Sequence, residues 1–290
     1  MFTRFSRALR LRVASVPFRY WQYSGVEFTF WFATACTSFL TSYLQSQGMS
    51  TTQVGIISAA NSAVGVLAGP FWGMLSDKIR SVRTSLIVCT IAGGISWVCI
   101  PLVGTWVIGG MSFAMLYIPV SCFFRNPISM LKDSWVVGSA NTYHLNYGAI
   151  RLWGSISYSV MAMSLSIITP LIGMEWTFYL YGITLIPLIA LCLLIRDEEN
   201  AGVSAKRKHY RFRDMHFGRL FKNYYFITFV IFNILMNVPA GTVSNFLPYL
   251  MTEIGVDANQ IGTIFGYKAL LEIPKLYMMI RFRRRFSLPQ

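Results

Sequence analysis

The stretch TSLIVCTIAGGISWVCIPLV, Thr84–Val103, is apolar throughout and contains no charged side chain. A helix of about 20 such residues is long enough to cross the roughly 30 Å of hydrocarbon in a bilayer. Seven more stretches of similar length and character flank it, so we predict eight membrane-spanning segments. All should be helices, because a lipid-exposed strand leaves backbone groups unpaired. The predicted spans are Tyr20–Leu44, Val54–Leu75, Thr84–Val103, Trp106–Val137, Leu145–Pro170, Trp176–Ile195, Tyr224–Leu250 and Ile261–Ile280.

The composition of the whole chain agrees with this interpretation. Of its 290 residues, 54% are hydrophobic and only 12% are charged. Soluble domains contain about 25% charged residues, so this chain has too few charges to cover a surface that faces water. A soluble enzyme, a secreted disulfide scaffold and a disordered tail are therefore excluded.

The positive charges are sorted among the loops. Most of the 25 lysines and arginines precede the first span or follow the second, sixth and eighth, and the four opposite loops contain none. Because lysine and arginine are retained on the cytoplasmic side, both termini are predicted to be cytoplasmic, with the chain in the inner membrane. The net charge of +14 thus reflects topology, and we expect no nucleic-acid partner.

Two segments of the chain are similar to each other. GMSTTQVGII begins at Gly48, after the first span, and GVDANQIGTI begins at Gly255, after the seventh. We therefore interpret spans seven and eight as a second copy of spans one and two. Parallel repeats of six-helix units are one way in which secondary transporters are built.

Two further motifs carry a family resemblance. GMLSDKIRSVR, beginning at Gly73, resembles the loop motif of the major facilitator superfamily, although Arg80 stands where that family usually has glycine. YGAIRLWGSISY, Tyr147–Tyr158, resembles the segment shared by the proton-coupled sugar and nucleoside symporter branch that includes lactose permease. The repeat and an acidic residue in the eighth span, Glu272, extend the resemblance over nearly the whole chain from Tyr20 onward.

The resemblance implies an all-α integral membrane fold. Residues 1–195 would form the N-terminal six-helix bundle, residues 196–223 a basic cytoplasmic linker, and residues 224–290 the first two helices of the C-terminal bundle. The superfamily has twelve spans, four more than we predict here. We expect the chain to be a C-terminally truncated carrier.

Eight ionisable residues lie inside the predicted spans, where each costs about 3 kcal/mol unless it faces a partner or water. They are Glu27, Arg125, Lys132, Asp133, Arg151, Lys268, Glu272 and Lys275. Arg151, Ser155 and Tyr158 share one helical face. The guanidinium offers a rigid fork of donors to oxygen ligands. By resemblance, Asp133, Arg151 and Tyr158 would bind substrate; the alternative is a structural Asp133–Arg151 ion pair.

Glu272 lies near the middle of the eighth span between two lysines, one turn away on each side. Burial favours the protonated carboxyl and a nearby ammonium favours the ionised one. A proton-coupling role for Glu272 with Lys268 is one interpretation, and an intrahelical salt bridge is the other. Glu27 is either a second titrating group or a residue that snorkels to the interface. Arg125 is interpreted as a packing or headgroup contact.

The loop motif is predicted to act as a gate that holds the two bundles in one state. Its residues are Gly73, Asp77 and Lys78. The Asp77 carboxylate would cap a neighbouring helix N-terminus, where a negative charge is favourable; the alternative is a solvated loop acid. The chain has no Walker, HExxH or GxSxG motif, and its three histidines are dispersed. We therefore expect no enzyme, no cofactor and no metal.

Our prediction is a secondary active transporter, a monomer whose partners are lipid, protons and a small-molecule substrate. It would couple proton symport to uptake of a small polar solute, foremost a sugar or glycoside. The alternatives are a nucleoside or aromatic-acid symporter or exporter of the same fold, and a truncated membrane protein that does not transport.

Overall fold

The computed structural model describes residues 2–104, 106–108, 111–195, 222–257 and 260–285. Ten α-helices and one short hairpin follow one another along these residues. They are α1 Phe2–Cys36, α2 Leu40–Ser46, α3 Thr51–Ile79, α4 Val82–Val98, α5 Ile100–Gly104, β1 Val107–Ile108, β2 Met111–Ser112, α6 Ala114–Thr142, α7 Tyr147–Ile172, α8 Trp176–Leu194, α9 Tyr224–Glu253 and α10 Ile261–Arg285. The predicted helical membrane fold is confirmed, and most of the predicted linker lies outside the described residues.

Three of the predicted spans differ from the helices that contain them, although the third is confirmed as a candidate span over Val82–Val103. Helix α1 begins at Phe2 instead of Tyr20. The third span is broken at Cys99, where α4 ends and α5 begins, because Pro101 has no N–H to continue the hydrogen-bond ladder. The fourth span starts at Ala114, since β1 and β2 pair as an antiparallel hairpin before it. The dipeptide between these strands is Gly-Gly, a sequence typical of tight hairpins.

The outer surface of the helices is apolar. Leu171 and Val66 have 80% and 73% of their surface exposed, whereas several serines are fully buried among the helices. Small polar residues at helix contacts are typical of membrane bundles. By length and hydropathy, five segments of the described chain qualify as membrane spans: α3, the stretch Val82–Val103, α7, α8 and α9. The other predicted spans, in α1, α6 and α10, contain all of the intramembrane ionisable residues except Arg151, which lies in α7.

Helix α7 is the centre of the packing, since it makes its most extensive contacts with both α1 and α10. Helix α6 packs on α3 and α4, and α8 joins α1 to α4. The contact of α10 with α7 depends on glycine. A Cβ added at Gly262 would lie 2.5 Å from the Ala162 carbonyl oxygen, and one at Gly266 would lie 2.6 Å from the Met163 side chain.

The internal repeat is visible in the backbone. Gly48 and Gly255 both adopt left-handed conformations, with φ of 78° and 84°, which glycine tolerates without strain. In the first segment, the backbone N–H of Gly48 donates to the carbonyl of Gln45, and the N–H of the following residue donates to the carbonyl of Leu44. In the second segment, the N–H of Gly255 donates to the carbonyl of Thr252, and the N–H of the following residue donates to the carbonyl of Met251. Equivalent positions of the two segments thus form the same turn.

Candidate functional site

A cavity of about 560 Å³ lies among α1, α3, α6, α7, α9 and α10. Its wall combines hydroxyl and amide side chains, such as Ser38, Asn61 and Ser244, with aromatic rings and four ionisable groups. A cavity of this size, with a few polar groups that converge on it, is typical of a small-molecule binding site.

Arg151 lies on the cavity wall, as the sequence predicts. Helix α7 begins just before it, because the Asn146 side chain accepts a hydrogen bond from the Ala149 N–H and so caps the first turn. The Arg151 guanidinium lies 4.1 Å from the centre of the Trp31 ring. Its Nη1 atom is buried and has no hydrogen-bond partner in the described residues. The guanidinium is therefore held in position with hydrogen-bonding capacity to spare.

Gly154 provides the space for this stack. A Cβ at that position would lie 2.5 Å from Trp31 Cδ1 and 2.7 Å from Arg151 Nη1. Any larger residue would displace the indole or the guanidinium. Neither Gly154 nor Trp31 was predicted as a site residue from the sequence. The spacing of four residues between Glu27 and Trp31 was the available signal for Trp31.

Tyr158 and Ser155 line the same cavity, so the predicted helical face is confirmed. The Tyr158 hydroxyl lies 2.7 Å from Ser38 Oγ on the neighbouring helix, and either group can be the donor. The Tyr158 ring meets the Trp31 ring edge to face at 6.2 Å. The Trp31 and Tyr158 rings therefore form an aromatic surface next to the Arg151 guanidinium.

Asp133 is not among the residues that line the cavity, and it does not pair with Arg151. Its carboxylate contacts Lys132 Nζ at 2.7 Å and accepts a hydrogen bond from the Tyr147 hydroxyl at 3.2 Å. The predicted Asp133–Arg151 ion pair is thus wrong, since Lys132, the preceding residue on the same helix, takes that carboxylate. A direct substrate contact by Asp133 remains a prediction.

Lys132 is the centre of a buried charge cluster. Its ammonium lies 2.6 Å from the Glu27 carboxylate, and both side chains are fully buried. The other Glu27 oxygen accepts a hydrogen bond from Trp31 Nε1 at 2.9 Å. Glu27 therefore does not snorkel to the interface, and Trp31 joins this cluster to the Arg151 stack. A proton-coupling role for Glu27 remains a prediction.

Glu272 and Lys268 of α10 line the cavity too. Lys268 Nζ donates to Ser244 Oγ at 3.3 Å, and within the described part of the chain the two residues form no ion pair with each other. The predicted intrahelical bridge to Lys268 is absent there because the lysine reaches across to α9. Proton coupling by Glu272 and Lys268 remains a prediction.

Arg125 makes a packing contact, which is one of our two interpretations, and it also lies on the cavity wall. Its guanidinium stacks over the Trp97 ring at 4.2 Å, and its Nε is buried with no hydrogen-bond partner among the described residues. Gly93 allows α4 to approach the Arg125 backbone closely.

The predicted gate, Gly73, Asp77 and Lys78, lies in the last turns of α3. Arg80 ends this helix with φ of 58°, the left-handed conformation in which helices often use glycine. The Arg80 and Ser81 N–H groups donate to the carbonyls of Asp77 and Ser76. Arginine therefore forms the turn that glycine forms in the family motif, and the gating role remains a prediction.

Known proteins resemble this chain in sequence. It is 26% identical over 251 residues to the uncharacterized transporter YwbF of Bacillus subtilis (strain 168), a match that covers 85% of this chain and 58% of that protein. It is 25% identical over 250 residues to the maltose permease of Geobacillus stearothermophilus, covering 86% and 61% respectively. The chain thus spans about three fifths of the length of these two relatives.

The fold also matches a solved structure. The crystal structure of the nucleoside transporter NupG superposes with a TM-score of 0.71 at 16% identity, covering 92% of this chain and 68% of that one. The relatives are named as transporters and permeases, which agrees with the expectation that the chain is not an enzyme. The helical fold and these relatives make it a multi-pass membrane protein. The model of the MFS_1 like family matches residues 20–290, and the chain therefore belongs to that family of major facilitator proteins.

Proposed function

We propose that the chain acts as a secondary active carrier for a small polar solute, foremost a sugar or glycoside. The observation that carries this proposal is the Arg151 guanidinium, which lies on the wall of the cavity with an unpaired nitrogen. A rigid fork of donors beside aromatic rings suits a solute that has hydroxyls and an apolar face. Similarity to a maltose permease supports a sugar.

In this proposal the substrate binds to Asp133, Arg151 and Tyr158. The Lys132–Glu27 ion pair adjoins this site. Glu272, with Lys268 and Glu27, would take up and release the coupled proton as the cavity alternates between the two sides. Each charge that crosses the membrane gains about 2.3 kcal/mol per 100 mV. In this proposal residues 1–195 and 224–290 belong to two bundles, both termini are cytoplasmic in the inner membrane, and Gly73, Asp77 and Lys78 act as the gate.

The test is uptake by membrane vesicles that contain the chain under an imposed pH gradient. We expect gradient-dependent accumulation of at least one member of a panel of neutral and acidic sugars, with uridine included for the nucleoside alternative. Arg151→Ala should reduce it at least tenfold, because a bond to a charged donor contributes about 1.5–3 kcal/mol. Glu272→Gln should abolish dependence on the gradient.

The matched control is Arg19→Ala, since Arg19 also stacks on an aromatic ring, Tyr143, at 5.1 Å but does not line the cavity. Uptake by this variant should equal that of the parent chain. Accumulation that is unchanged in both Arg151→Ala and Glu272→Gln would remove the site assignment. Absence of uptake for the whole panel would favour the non-transporting alternative.

A further inference from the structure

Two guanidiniums face the cavity, and they are held in the same way. Arg125 comes from α6 and Arg151 from α7, and both line the cavity. Each lies over an indole ring, at 4.2 Å from Trp97 and 4.1 Å from Trp31. Stacking on an indole stabilises a cation and restricts its rotation. The cavity therefore has two preorganised cationic anchors.

Each anchor has unused hydrogen-bonding capacity. Arg125 Nε and Arg151 Nη1 are buried and have no partner among the described residues. Among the described residues, the Arg125 guanidinium makes one polar contact, a weak one from Nη2 to Cys122 Sγ at 3.7 Å. A buried donor without a partner is costly, so both sites are suited to an acceptor brought by a ligand.

The charges that line the cavity are unbalanced. Arg125, Arg151 and Lys268 are cationic, and Glu272 is the one carboxylate on the wall in the described part of the chain. No described carboxylate forms an ion pair with either guanidinium. The nearby acids, Glu27 and Asp133, both contact Lys132, whose single charge leaves one negative charge in this cluster. That charge offsets one of the two excess positive charges of the wall, so the cavity and the cluster together still carry a net positive charge.

An anion is the ligand that offsets this imbalance. Removing cations from water is expensive unless a counter-charge is present, and a neutral hydroxyl would supply an acceptor without the charge. A carboxylate matches the planar fork of a guanidinium with two parallel hydrogen bonds. We infer that the cavity binds a sugar carboxylate, such as a uronic acid, with Arg125 as a second anchor beside Arg151. This inference rests on the proposed function, whose solute class it narrows.

The test is calorimetric titration of the 290-residue chain in lipid nanodiscs with glucuronate, glucose and glucose 6-phosphate. We expect glucuronate to bind at least about tenfold more tightly than glucose, because it adds charge-assisted hydrogen bonds. The preference should persist at high salt, since a buried pair is screened less than an exposed one. Glucose 6-phosphate is an anionic sugar without a carboxylate, so comparing its affinity with that of glucuronate distinguishes recognition of a carboxylate from a general preference for anions.

Arg125→Gln should remove the preference for glucuronate over glucose, measured as the ratio of the two affinities. Arg19→Gln, which changes a stacked arginine outside the cavity, should leave all affinities unchanged. Should Arg125→Gln fail to fold, Arg125→Lys keeps the charge without the fork and should weaken glucuronate binding by at least threefold.

Equal affinities for glucuronate and glucose would overturn the inference and leave the proposed function standing. Tighter binding of glucose 6-phosphate than of glucuronate would overturn the assignment of a carboxylate. Absence of binding by all three sugars would count against the proposed function and the inference together.

Discussion

Lys132 shows how single residues shape the interior of this protein. The sequence predicts that several intramembrane charges must pair, because unpaired charges there are costly. The structure shows which ones do: Lys132 binds Glu27 at 2.6 Å and Asp133 at 2.7 Å. Within the described residues, this pairing leaves the two cavity arginines without a carboxylate in contact.

Replacing Lys132 with methionine should destabilise the protein by about 3–5 kcal/mol, because the Glu27 carboxylate would remain buried and uncompensated. Combining it with Glu27→Gln should restore most of the loss. Both effects are measurable as the free energy of unfolding in mixed micelles titrated with denaturing detergent.

The control for this prediction is Lys222→Met, since Lys222 is exposed at the start of the described C-terminal segment and should change stability little. A Lys132→Met variant as stable as the parent chain would contradict a structural role for the cluster.

At the scale of elements, glycine decides how α10 meets α7. Gly262 and Gly266 are separated by three residues, a spacing that places both on one face of the helix. Both would clash with α7 if they carried a Cβ. Because α10 supplies Lys268 and Glu272 to the cavity, this contact also positions two of the predicted coupling residues.

Gly262→Ala should cost about 1–3 kcal/mol, because the added methyl group would overlap the Ala162 carbonyl and the Phe39 ring, both 2.5 Å away. Gly241→Ala on α9 is the matched control, since nothing lies within 4 Å of its Cβ position. The control should be neutral or stabilising by up to about 1 kcal/mol. Equal effects of the two substitutions on detergent-induced unfolding would show that the contact is not tight.

At the scale of the whole molecule, the two repeats meet at equivalent positions. Gln45 Nε2 donates to Thr252 Oγ1 at 2.9 Å, and these residues occupy the same place in the two similar turns. The Tyr249 hydroxyl donates to the Met49 carbonyl at 3.1 Å. Together these bonds join the end of α2 to the end of α9, next to the cavity.

The predicted orientation places this contact on the outer side of the membrane and the end of α3 on the cytoplasmic side. In intact cells, a membrane-impermeant maleimide should therefore label Gln47→Cys but not Lys78→Cys, both of which are exposed positions. Permeabilised cells should label both. The parent chain, with its five native cysteines, measures the background. The reverse pattern would mean that the basic loops do not determine orientation here.

Much of the site was predictable because helical spacing is a local property. Arg151, Ser155 and Tyr158 share a face at spacings of three and four residues, and all three line the cavity. The partners of the charges were less predictable. Asp133 pairs with the residue beside it, and Arg125 lines the cavity in addition to packing on Trp97, because the rotation of α6 depends on its packing against α3 and α4.

The sequence by itself determined that this is a helical membrane protein with an internal repeat, since span length, hydropathy and turn glycines act over a few neighbouring residues. Only the tertiary structure decided which charges pair and which face the cavity. Those choices depend on contacts of α6 with α1 and of α7 with α1 and α10, between residues far apart in the chain, such as Lys132 with Glu27 and Arg151 with Trp31. Sequence patterns over a few neighbouring residues contain no information about contacts between residues so far apart in the chain.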